Sequence, residues 1–135
     1  IFFRGMSTTT SNVHVVALNV PVHPLECCTS FKQLDANEQR YVHHLTKAAW
    51  AGSRICIHQA STESPDIFGL LQTMFSLVGG ATALREKCMQ PPYAVSAEAI
   101  TAWLAYTTTF YGNLGNYYAS GDLKLVPQCS EADVD

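Results

Sequence analysis

The chain has 135 residues, which is one domain or part of one. Only 14% of them are charged, against about 25% in an average soluble domain, so either one face is buried against further protein or the chain belongs to a larger body. A net charge of −3 with no basic patch excludes nucleic-acid binding, and no apolar run approaches the length of a membrane span.

Residues 1–5 precede Met6 and read as the remnant of an expression tag. Residues 6–15 form a flexible lead, and the apolar stretch at 13–22 is too short and lacks the basic flank of a signal peptide. Four helices follow from the periodicity. The first covers 24–34, with Leu25, Cys28, Phe31 and Leu34 spaced about one turn apart. Asp35-x-x-Glu38 is a capping-box start with aspartate in place of Ser or Thr, and opens a second helix at 36–59. Its apolar stripe is Tyr41, Leu45, Ala48, Ala49, Gly52, Ile55 and Cys56, with Arg40, Lys47 and Arg54 on the other side. Ser64 as N-cap and Pro65 in the first turn start a third helix, at 65–78. It should bury Ile67, Leu70, Leu71, Met74, Phe75 and Val78 and stop at Gly79-Gly80. Residues 81–89 suit a short further helix, and Pro91-Pro92 breaks the chain. Ser96 caps the last helix, at 96–112, whose apolar face is Ile100, Trp103, Leu104, Thr107, Phe110 and Tyr111. Residues 123–126 are a candidate short strand ended by Pro127, and 129–135 form an acidic, frayed tail. The fold class is therefore mainly α.

Most of the reactive side chains read as structural. His43 and His44 are adjacent, so on a helix they point about 100° apart and cannot share one ion from one face. No carboxylate stands at the spacing of a H-E-x-x-H zinc helix. Their ordinary role is a solvated helix edge with one ring half-buried. Cys27-Cys28 has no adjacent cation to lower a thiol pKa, and reads as one cysteine inward and one outward. Five irregularly spaced cysteines contain no C-x-x-C motif and suit free thiols in a reducing compartment, Cys56 as a small hydrophobe. Trp50 and Trp103 read as core anchors or as rings at a packing seam.

The stretch 110–127 differs. It places three glycines, two asparagines, three tyrosines and an aspartate directly behind a helix. Glycine allows positive φ and close backbone approach, asparagine tolerates the left-handed region, and tyrosine offers a flat ring with a polar tip. This suits either a helix C-cap with Gly112 or Gly115 in the αL position, or a shaped loop presenting rings and amides to a ligand. Asp122 either contacts that ligand or braces the loop through an Asx-turn.

Gly115-Asn116-Tyr117 with Gly121-Asp122, taken with Ala48-Ala49-Trp50 and the runs at 38–52 and 65–75, resembles the N-terminal region of the dipeptidyl peptidase III family from about Val16 to Pro127. Members of that family are cytoplasmic zinc exopeptidases that release dipeptides from peptide N-termini. They bind zinc through a H-E-x-x-G-H helix and a downstream glutamate, and zinc polarises the carbonyl and lowers the pKa of its water. The chain contains no His-Glu dipeptide. The resemblance thus implies no catalytic residue, metal ligand or cofactor here, and zinc in the full-length parent. It implies the helical N-terminal portion of a larger α+β peptidase lobe, with the remainder of the enzyme and short peptides as partners. It also assigns Asn116, Tyr117, Tyr118, Ser120, Gly121 and Asp122 to substrate binding at the cleft. Ser120 stands where the family often has an aromatic, so Tyr117 or Tyr118 would supply the ring. The alternative is a free-standing helical protein-interaction module whose low charge marks a partner groove. A reading frame that continues into a H-E-x-x-G-H motif separates the two.

Overall fold

The computed structural model describes residues 14–23, 26–118, 122–130 and 133. Five helices carry the described residues: α1 (Cys28–Lys32), α2 (Ala36–Ala60), α3 (Ser64–Val78), α4 (Ala81–Met89) and α5 (Ala97–Asn113). The fold is mainly α, as the periodicity predicts. The local chemistry at most helix ends is also as expected. Asp35 accepts from the backbone N–H groups of Asn37 and Glu38 at 2.8 and 2.9 Å, and Glu38 accepts from the Asp35 N–H at 2.9 Å, which completes the capping box. Gly79 closes α3 at φ 84°, a left-handed position that glycine takes without a Cβ penalty. Ser96 caps α5 by accepting from Ala99 N–H at 3.1 Å.

Ser64 departs from its expected role. The N-cap of α3 is Glu63, and Ser64 is already in the helix with its side chain fully buried. Its hydroxyl is occupied elsewhere, as described below.

The core lies around α5. Phe110 is fully buried, and Leu71 of α3, Ala105, Val16 and Leu125 close around it, with Phe68, Phe75, Trp103 and Tyr111 packed outside. Phe75 and Trp103 meet with ring centroids 5.9 Å apart, and Phe68 meets Tyr111 edge-on at 6.0 Å. α5 is buried on more than one face, at Ala99, Ile100, Ala102, Ala105, Thr107, Thr109 and Phe110. The threonine hydroxyls cost little there, because Thr107 and Thr109 return hydrogen bonds to carbonyls four residues back, at 2.9 Å each.

The expected strand at 123–126 forms as two isolated bridges: Val126 pairs in parallel with Val15, and Lys124 pairs antiparallel with Tyr117. Val16 N–H reaches Val126 O and Val126 N–H reaches His14 O, both at 2.9 Å. The last two residues of the expected 6–15 lead are therefore part of the paired structure.

α2 gives the largest correction. Residues 40–51 are all exposed, and the helix buries only Ile57 fully. Tyr41, Leu45, Ile55 and Cys56, expected inward, face solvent, and Trp50 is 73% exposed. The reason is geometric: α2 packs chiefly on α3, at its C-terminal end, and its first four turns run past the body of the chain. Leu70 of the expected α3 stripe is also exposed, and Phe68 takes its place inward. His43 and His44 are both exposed, as are Cys27 and Cys28, because no described residue packs over them. All five cysteines are free thiols. Among the described residues no single helix is long and apolar enough to cross a membrane.

Candidate functional site

α5 ends in a Schellman closure: Gly115 N–H bonds Phe110 O at 3.1 Å and Leu114 N–H bonds Tyr111 O at 3.3 Å. The αL residue is Leu114, at φ 52° and ψ 38°, and neither Gly112 nor Gly115 has a positive φ. Gly115 is needed for a different reason. A Cβ there would collide with the Ala60 Cβ and sit 3.1 Å from Ser64 Oγ. The glycine lets the chain leaving α5 touch the corner between α2 and α3.

From that contact residues 116–118 run antiparallel to 123–125, the two arms of a hairpin. Leu125 N–H bonds Asn116 O at 2.8 Å and Tyr118 N–H bonds Leu123 O at 2.9 Å, flanking the Tyr117–Lys124 bridge. Its base is fixed by side chains from the α2–α3 corner. Asn116 is fully buried. Its Oδ1 accepts from Ser61 Oγ at 2.6 Å and from Ser64 Oγ at 2.8 Å, and its Nδ2 donates to Glu63 Oε2 at 2.8 Å. Its backbone N–H donates to Ser64 Oγ at 3.1 Å. Glu63 Oε2 also pairs with Lys124 Nζ, so one carboxylate oxygen holds both arms of the hairpin. The hydrogen bond from Lys124 holds the Glu63 carboxyl below its ordinary value; burial opposes this, and Lys124 charge and the Asn116 amide add to it. Nearby, burial and then the Glu63 charge push the Tyr106 phenol up to about 12, so it stays protonated and is no base.

The six residues assigned to binding therefore separate. Asn116 is internal, with every polar atom engaged. Tyr117 and Tyr118 are half-buried, and Tyr118 packs on the core. Asp122 is exposed, and the brace expected of it is made instead by Asn116, Glu63 and Lys124. Ser120 and Gly121 lie outside the described residues. Sequence reasoning missed Ser61, Glu63, Ser64 and Lys124. The one available signal was the polar run Ser61-Thr62-Glu63-Ser64 at a helix junction, which reads equally well as an ordinary cap.

A shallow, mainly apolar groove lies between Leu45, Ala49 and Trp50 of α2 and Tyr111, Gly112 and Leu114 at the end of α5. Among the described residues no three His, Cys, Asp or Glu side chains gather into a metal-ligand set. The described residues do not fit a zinc site.

No family model matches the chain, and no solved structure matches it. Its curated relatives are proteins named Dipeptidyl peptidase 3. It is 42% identical to that of Dictyostelium discoideum over 118 residues, which is 87% of this chain and 16% of the relative. It is 40% identical to that of Nematostella vectensis over 114 residues, 84% of this chain and 16% of the relative. Identity to the human protein is 32% over 114 residues, 84% of this chain and 15% of the relative. The chain thus spans about a sixth of the length of the relatives it matches. With most of its residues aligned at these identities to proteins of one name, the chain belongs to the dipeptidyl peptidase 3 family.

Proposed function

We propose that this chain is a non-catalytic, N-terminal helical segment of a cytoplasmic, zinc-dependent exopeptidase that releases dipeptides from peptide N-termini, and that the 116–125 hairpin forms part of the wall of its peptide cleft. The name shared by its relatives supports the activity, and the chain's coverage of about a sixth of them supports a segment over a free-standing interaction module. The observation that carries the cleft assignment is the braced hairpin: its base is fixed through Asn116, Glu63 and Lys124 while Tyr117 stays half-exposed and Asp122 exposed. In this reading the Tyr117 ring lies against the side chains of the peptide's first residues, and Asp122 offers a carboxylate to its amino end. In this reading hydrolysis belongs to the rest of the protein. The free thiols suit the reducing cytoplasm. The remainder of the enzyme covers the exposed face of α2.

The test is Tyr117→Ala in the full-length protein. A rise in KM for a dipeptidyl arylamide, with kcat and metal content unchanged, is the signature of lost binding and not of lost chemistry. An unchanged KM removes Tyr117 from the cleft.

A further inference from the structure

We propose that Asn116 is a positioning residue: its buried carboxamide sets the direction in which Tyr117 points by tying the hairpin to the α2–α3 corner. This rests on the cleft reading of Tyr117 given above.

The geometry separates the corner bonds from the hairpin's own bonds. Asn116 joins three residues that stand 52 to 55 positions away in the chain: Ser61, Glu63 and Ser64. Its four polar groups are all engaged, with the carbonyl taken by Leu125 N–H, the N–H by Ser64, Oδ1 by two serines and Nδ2 by Glu63. Ser61 and Ser64 Oγ also lie 2.9 Å apart. Two hydroxyl protons therefore serve a triangle of three oxygens, and Asn116 Oδ1 is the corner that can only accept. An asparagine fits this place and an aspartate does not, because the Nδ2–H bond to Glu63 would become a contact between two carboxylates.

Truncating Asn116 removes its side-chain links to Ser61, Ser64 and Glu63 but leaves its N–H bond to Ser64 Oγ, the Glu63–Lys124 pair and the Leu125–Asn116 and Tyr118–Leu123 backbone bonds, none of which needs that side chain. The hairpin would remain a hairpin and be held less firmly against the corner. Ring placement governs how well a peptide is held, so the cost should fall on binding. Glu63 has a second part in this, since its single oxygen spans Asn116 and Lys124 and so sets the width of the hairpin base.

A double-mutant cycle in the full-length protein tests the proposal, with steady-state kinetics on a dipeptidyl arylamide and thermal stability recorded for each variant. Asn116→Ala should raise KM by about tenfold, the size of one net hydrogen bond, with kcat nearly unchanged. In a Tyr117→Ala background the same change should raise KM no further, because a ring that is absent needs no positioning. Ser61→Ala, which leaves the Ser64 bond to Oδ1 in place, should act in the same direction more weakly, and it decides the question in the same cycle if Asn116→Ala does not fold. Additive effects of Asn116 and Tyr117, or an unchanged KM in folded Asn116→Ala and Ser61→Ala, would overturn the positioning role while leaving Tyr117 at the cleft. An unchanged KM in Tyr117→Ala itself overturns the cleft reading and this proposal with it.

Discussion

Gly115 and Gly112 stand three residues apart in one glycine-rich stretch, yet they do opposite work. A methyl on Gly115 would strike the Ala60 Cβ, a short side chain fixed to helix backbone that cannot swing aside. A methyl on Gly112 would meet nothing within 4 Å, and that residue is helical. Gly115→Ala should therefore destabilise the protein by about 1–3 kcal/mol through overpacking. Gly112→Ala should stabilise it by roughly 0.5–1 kcal/mol by relieving glycine's helix penalty. Urea denaturation of both variants checks the pair; equal effects of one sign would mean that the loop does not touch the α2–α3 corner. The αL position is left to Leu114, a residue that pays a Cβ penalty there. Composition shows that such a stretch needs unusual geometry somewhere, but not which residue meets it. The buried partners of Asn116 were likewise invisible, since Ser61, Glu63 and Ser64 come from a junction more than fifty residues earlier.

At the level of elements, α5 and α2 show what helical periodicity can and cannot decide. Both carry apolar residues at helical spacing, and the spacing located both correctly, with the capping box at Asp35 and the Ser96 cap marking their starts. Periodicity shows that a helix has an apolar face; it does not show that this chain supplies the cover. α5 is covered and Phe110 is fully buried, while the same kind of stripe on α2 is open and Trp50 is 73% exposed. Phe110→Ala should cost about 3–5 kcal/mol, by lost transfer energy and the cavity left behind. Trp50→Ala in this chain alone should cost less than about 1 kcal/mol, as for surface substitutions generally. A large loss at Trp50, measured by denaturation of the isolated chain, would show that α2 folds back onto the body. The strand at 123–126 was legible as extended chain, but its partners, Val15 and Tyr117, lie on two different segments that no local pattern connects.

For the whole molecule, the low charge content and the open face of α2 point the same way. Tyr41, Leu45 and Ile55 are 53–66% exposed along one stripe of α2, and Trp50, on the opposite side from Tyr41 and 73% exposed, lines with Leu45 a groove that reaches Leu114. An ordinary monomer keeps such a patch small, and relatives more than five times as long have chain enough to cover it. In the proposed reading, the exposed part of α2 meets the rest of the enzyme and the braced hairpin meets the peptide. The most direct test is hydrogen exchange on the full-length protein, with and without a peptide whose scissile amide has been reduced so that it cannot be cleaved. The account predicts that the peptide slows exchange in the 116–125 hairpin and leaves the already covered turns of α2 unchanged. Peptide-dependent protection elsewhere in the protein, with none in that hairpin, would contradict it.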